Sequence, residues 1–195
     1  MTDHSKSEGH KIHEHDVIKV YSGDCYVTDK PDKVMVTILG SCISACIRDP
    51  KIKVGGMNHF LLPDTTNVGD SPNRYGAYAM EQLINDILKK GGDKKRLEVK
   101  LFGGGNVIDS SAMIGDKNVQ FIRQYMLSEG LLVTQEDLGG KAPRRIHYYP
   151  ETGKVMMRKI EKKDELESVT KEEKAYKQKI TQQSQHQDEG DVELF

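Results

Sequence analysis

A chain of 195 residues is long enough for one domain with a sizeable core. Its formal net charge of −1 excludes an electrostatic footprint for nucleic acid or an anionic membrane surface as the main partner. Three cysteines and no long apolar run exclude a disulfide framework and a membrane-spanning helix, and with no signal-peptide pattern they place the protein in a reducing cytoplasm.

The apolar content of 36% and charged content of 30% are diluted by the two ends. Residues 1–15 hold one aliphatic side chain, Ile12, among the histidines His4, His10, His13 and His15. Such a tract holds transition metals only loosely and reads as a solvated tail. From Glu161 onward the chain is Lys, Glu, Gln and Ser with few large apolar residues, too poor to offset the entropy of ordering. The expected organisation is a mobile His-rich tail over 1–15, one domain over 16–160 and a charged, disordered tail over 161–195.

Within the domain, Ile43, Ala45 and Ile47 alternate with Ser44 and Cys46 as a strand does. Arg48-Asp49-Pro50-Lys51 carries turn chemistry, and the chain returns from Lys53 to Leu62. Arg74 to Lys90 reads as a helix, with Ala79, Met80, Leu83, Ile84, Ile87 and Leu88 on one face and Gly91-Gly92 as its stop. Leu97, Val99 and Leu101 alternate as a strand running into Gly103-Gly104-Gly105. A second helix runs from Asn118 to Ser128. Leu131 to Thr134, Arg144 to Tyr149 and Lys154 to Arg158 read as strands, the last two joined by Glu151-Thr152-Gly153. The fold class is α/β, a single mixed domain.

The chemistry centres on Cys42, in Thr37-Ile38-Leu39-Gly40-Ser41-Cys42, and His59, in Gly55-Gly56-Met57-Asn58-His59. A thiol beside an imidazole can become the thiolate that attacks a carbonyl carbon. A hairpin brings its open ends together, so Cys42 before the first strand and His59 late in the second can approach. Gly40 and Ser41 would leave amide N–H groups facing outward to hold an oxyanion. The bland alternative is a turn followed by a small buried cysteine. Gly103 to Gly105 lack a following Lys-Ser/Thr and the G-x-G-x-x-G spacing, so they read as a close backbone approach near the pocket, with Asn106 placed to contact substrate. Cys42 and Cys46 have a zinc-like spacing, but four strand residues span about 13 Å, too far for one ion, and no metal site is expected. Cys46 and Cys25 read as structural.

T-I-L-G-S-C, D-P-x-x-K-V-G-G-M-N-H-F-L-L-P and P-x-R-Y-G-x-x-A-M resemble the signature of CheD, the chemoreceptor glutamine deamidase family of bacterial chemotaxis. Leu101-Phe102-Gly103-Gly104-Gly105-Asn106, Ile114-Gly115 with Asn118-Val119, and Asp137-Leu138-Gly139-Gly140 with Arg144-Arg145 are similar to its later landmarks, in unbroken order from about Ile18 to Ile160. The resemblance implies two β layers packed with outer helices. It implies Cys42 as nucleophile, His59 as base and Thr37 as the third member of the triad, unless Thr37 faces the core and another group orients His59. Gly40, Ser41 and Asn106 would serve substrate and oxyanion. The implied reaction is a hydrolysis of the glutamine carboxamide through a Cys42 thioester, with no cofactor. Chemoreceptor cytoplasmic domains would be the partners of a monomer, together with a CheC-type phosphatase. The other function class is a binding module that docks on those partners with little turnover.

Overall fold

In the computed structural model, which describes residues 16–62, 72–107, 114–161 and 163–186, nine strands and three α-helices follow one another along the chain. They are β1 (Asp16–Lys19), β2 (Cys25–Thr28), β3 (Lys33–Leu39), β4 (Ile43–Asp49), β5 (Val54–Asn58), α1 (Pro72–Lys89), β6 (Glu98–Gly103), α2 (Ile114–Glu129), β7 (Val133–Leu138), β8 (Arg144–Tyr149), β9 (Lys154–Lys159) and α3 (Lys163–His186). The strands form a four-stranded sheet of order β1-β3-β8-β9 and a five-stranded sheet of order β2-β5-β4-β6-β7.

β4 explains how the layers stack. It is central in its sheet and buried on both faces, so its alternation separates two cores rather than core from water. Ile43, Ala45 and Ile47 join Met80, Leu83, Ile84 and Ile87 of α1 and Phe121, Ile122, Tyr125 and Met126 of α2 in one cluster. Cys42 and Cys46 join Met35 and Leu39 of β3 and Ile146 and Tyr148 of β8 in the other, between the two sheets. The result is the expected α/β/β sandwich, with α1 and α2 outside the five-stranded sheet. Each fully buried Leu or Ile in these clusters contributes about 1.5–3 kcal/mol relative to exposure.

Both helices read from the sequence are present, and α2 starts one turn earlier than expected, at Ile114. The β8–β9 hairpin lies where its turn residues put it. The strand expected over Leu131 to Thr134 instead runs from Val133 to Leu138, parallel to β6, because Leu131 turns into the core under α2. The segment from Glu161 onward, expected to be a disordered tail, is helical over Lys163–His186, with Val169, Glu173 and Ile180 buried. Its few apolar residues fall on one helical face, and that face is covered by the domain. The tract containing His4, His10, His13 and His15 lies outside the described residues.

Candidate active site

The β4–β5 hairpin sets the distance between the two candidate reactive groups. Cys46 faces Met57, and the same register continues to a bridge between Ile43 and Phe60. Two hydrogen bonds close that bridge, Ile43 N–H to the Phe60 carbonyl at 2.8 Å and Phe60 N–H to the Ile43 carbonyl at 2.9 Å. Cys42 is therefore a diagonal neighbour of His59 on the face turned toward the other sheet. Both are buried, Cys42 at 0% and His59 at 5% exposure.

Thr37 comes from β3 of the opposite sheet, and its Oγ1 stands 2.8 Å from Nδ1 of His59. The same hydroxyl donates to the Val20 carbonyl at 2.7 Å. Having only one proton, it must accept from the imidazole, so Nδ1 carries the hydrogen and Nε2 presents a lone pair. Nε2 lies 3.0 Å from Oγ of Ser22, which in turn is 3.9 Å from the Cys42 sulfur. Thiol, hydroxyl, imidazole and second hydroxyl thus form one chain: Cys42, Ser22, His59, Thr37.

Burial pushes the His59 pKa down to about 4, against the Val20 carbonyl and Asp24, so the ring is neutral at pH 7. Burial and then the Glu173 carboxylate push the Cys42 thiol well above its ordinary value. In this arrangement thiol and imidazole are both uncharged at pH 7. Glu173 belongs to α3, and its Oε1 accepts from the N–H groups of Ser41 (2.5 Å) and Cys42 (3.2 Å), while Oε2 accepts from the Ser41 hydroxyl at 3.2 Å. The amides of this turn, expected to face outward, are taken up by the buried carboxylate of the chain's own α3.

Further contacts hold the Cys42 turn. Gly104 N–H donates to the Cys42 carbonyl at 2.8 Å and Gly105 N–H to the Gly40 carbonyl at 2.7 Å. A Cβ on Gly103, at φ +115°, would lie 2.0 Å from the Cys42 carbonyl oxygen, so this position needs glycine both for its backbone angle and for space. Gly40 has no left-handed backbone angle; a Cβ there would meet Glu173 Oε1 at 2.6 Å, so its role is room. Asn118, wholly buried on α2, donates from Nδ2 to the Ser41 carbonyl and accepts at Oδ1 from Leu62 N–H, both at 2.9 Å. It ties the Cys42 turn to the strand end beyond His59.

Asn106 stands apart from the His59 side. It lines a cavity with Ser41, Leu61, Gly105 and Glu173, while a second cavity on the other flank of α3 is lined by Val20, Ser22, Thr37, His59 and Val169. Cys46 lies deeper along β4 in the inter-sheet core, and Cys25 packs against the helical core. Among the described residues no group of three or more His, Cys, Asp or Glu could hold a metal ion.

Ser22, Asn118 and Glu173 did not emerge as site residues from the sequence. Ser22 lies in a short turn with no motif of its own. Asn118 appears inside a family landmark without a role, and Glu173 is one of many acidic residues in a charged stretch. The spacing Val169, Glu173, Tyr176, Ile180 is the signal that could have drawn attention to it, since it marks one helical face.

The chain has relatives among known proteins. A probable chemoreceptor glutamine deamidase CheD of Rhodopseudomonas palustris is 51% identical over 84% of this chain and 78% of its own length. The chain belongs to the CheD family. A second CheD, from Janthinobacterium sp., is 45% identical over 92% of this chain and 89% of its own length, and one from Hahella chejuensis is 44% identical over 91% and 84%. The family profile described as CheD chemotactic sensory transduction matches residues 61–159, beginning just past His59. Among solved structures, the hypothetical protein YfiH of Bacillus licheniformis resembles 66% of the chain at a TM-score of 0.38 and 16% identity, too distant to bear on fold or site. Within the CheD family, then, the relay from Cys42 to Thr37 is the arrangement to be explained.

Proposed function

We propose that the protein is a cysteine-dependent deamidase that converts glutamine side chains of chemoreceptors to glutamate, working in the cytoplasm on the receptors' cytoplasmic domains. The observation that carries this reading is the ordered chain Cys42, Ser22, His59, Thr37 beside the paired N–H groups of Ser41 and Cys42, which hold a carboxylate oxygen at rest. Among the described residues no helix is long and apolar enough to cross a membrane.

The steps follow from the donor and acceptor roles. With the site open to substrate, the Cys42 sulfur attacks the side-chain amide carbon of a glutamine while His59 Nε2 takes up the thiol proton. The developing oxyanion accepts from the N–H groups of Ser41 and Cys42, and each such donor is worth about 2.7–4 kcal/mol of barrier. The carbon–nitrogen bond breaks as the imidazolium returns its proton to the leaving nitrogen, and ammonia departs. The thioester left on Cys42 is hydrolysed by water deprotonated at the same Nε2. Thr37 holds Nδ1–H throughout, so Nε2 remains the working nitrogen. Ser22, hydrogen-bonded to Nε2 at rest, either passes the proton or gives way to it. The product adds one negative charge to a receptor helix, which changes repulsion between neighbouring helices.

The test is peptide mass spectrometry on a receptor cytoplasmic fragment incubated with the protein. A gain of about 1 Da per converted glutamine with wild type, lost in both C42A and H59A, is expected. No gain with wild type, combined with retention of the fragment in a pull-down, would replace the reading with a docking module for receptors or for a CheC-type phosphatase.

A further inference from the structure

Among the described side chains of α3 the buried acidic one is Glu173, at 8% exposure, and it lies where a carboxylate would be a reaction product. Oε1 bridges the amides of Ser41 and Cys42, the position of the oxyanion, and Oε2 meets the Ser41 hydroxyl. The docking is built on both sides of this contact. Val169, one turn before, and Ile180, two turns after, are buried at 5% and 4% exposure. Between them the Tyr176 hydroxyl lies 2.6 Å from that of Tyr75 on α1.

Two glycines make room for the helix. A Cβ on Gly23 would stand 2.7 Å from the Tyr176 hydroxyl oxygen, and one on Gly40 would stand 2.6 Å from Glu173 Oε1. The two cavities beside the site, one on the His59 flank and one on the Asn106 flank, are separated by α3 and both include Glu173 in their walls. Each has further α3 residues in its wall, Lys177 on the Asn106 flank and Val169 on the His59 flank.

We propose that α3 is a built-in product helix: it occupies the groove for the glutamine-bearing substrate helix, with Glu173 in place of the glutamate that the reaction generates. This rests on the deamidase reading and adds to it a resting state from which substrate must displace α3. Two physical effects keep that state inactive. The carboxylate fills the oxyanion position, and its charge opposes formation of the Cys42 thiolate.

A consequence is that α3 becomes a substrate when Glu173 is made amide. In E173Q the Cys42 sulfur bonds to the side-chain carbon, the carbon–nitrogen bond breaks, and ammonia leaves with the thiol's proton delivered through His59. Water then cleaves the thioester, regenerating the thiol and the wild-type glutamate. The net change is uptake of one water and loss of one ammonia.

The experiment compares full-length wild type, E173A and the undocking pair V169E/I180E for alkylation of Cys42 by iodoacetamide, read on its own peptide. Both variants are expected to label about tenfold faster or more, since thiolate fraction changes tenfold per pKa unit and access opens as well. Full-length E173Q is expected to gain about 1 Da on the α3 peptide, and E173Q with C42A to keep its mass. Equal labelling of wild type and both variants, with the E173Q amide retained, would overturn the product-helix proposal. Receptor-fragment deamidation run in parallel separates the two ideas. Faster labelling with no deamidation by any variant refutes the deamidase reading and leaves the plug. Equal labelling with equal deamidation refutes the plug and leaves the deamidase. A direct catalytic role for Glu173 would instead show as loss of deamidation in E173A, which also overturns the proposal.

Discussion

Thr37 has a single hydroxyl proton and gives it to the Val20 carbonyl, which leaves its oxygen as an obligatory acceptor for His59 Nδ1–H. Replacing it with valine keeps volume but leaves a buried N–H and a buried carbonyl without partners. Such losses are worth about 1–3 kcal/mol. T37V is expected to lower the deamidation rate constant by roughly 10- to 100-fold with little change in KM, because the imidazole is disordered rather than the substrate site altered. T37S should recover most of the rate, and a steady-state assay on a receptor fragment checks both. At this scale the sequence was only partly legible. Cys42 and His59 stood out by type and by hairpin logic, whereas Thr37 entered through family resemblance alone. Its contact crosses between sheets, and no local pattern reports which residue of β3 lies over the end of β5.

Among the secondary elements, the β4–β5 hairpin and the Gly103 turn act together: one sets the spacing of thiol and imidazole, the other clamps the thiol's backbone. G103A would force a Cβ to 2.0 Å from the Cys42 carbonyl oxygen at a backbone angle of φ +115°. Strain of a left-handed non-glycine residue costs about 1–3 kcal/mol, and the clash adds to it. The expected outcome is a loss of more than about 3 kcal/mol in urea unfolding. Any folded fraction should also be far less active than its stability suggests, since relief of the clash moves Cys42. Helical period, turn residues and the β8–β9 hairpin were readable because each is a local signal. β1 and β2 were not, being four residues long with mixed exposure and paired to distant strands. The face of α3 was overlooked because its polar majority masked four spaced residues, and only tertiary contact decides whether such a weak stripe folds.

For the whole molecule, the buried imidazole links folding to pH. The His59 pKa is pushed from 6.5 to about 4 by burial, so between those values the unfolded chain takes up a proton that the folded chain refuses. Stability is therefore full above pH 6.5, falls as pH drops toward 4, and loses about 3 kcal/mol across that window. In H59Q this segment of the curve should become shallower, as measured by urea unfolding between pH 4 and 7, leaving the share of His147, whose pKa burial and the neighbouring Arg145 and Arg158 also lower. Asp49, held down to about 2 by the Arg96 guanidinium, begins to lose its contribution only below pH 4, so the two effects are separable.

Thr37 belongs to the four-stranded sheet, whereas Cys42 and His59 stand one residue beyond the ends of β4 and β5 in the five-stranded one. The 2.8 Å bond between Thr37 and the imidazole is thus a rivet set in the apolar packing between two plates, which the Arg144–Asp137 ion pair ties at a second point. Apolar surfaces tolerate a slide of a fraction of an ångström, and a hydrogen bond does not. Turnover is in that sense a gauge of alignment, and a shear between the plates would register at the thiol well before either sheet came apart.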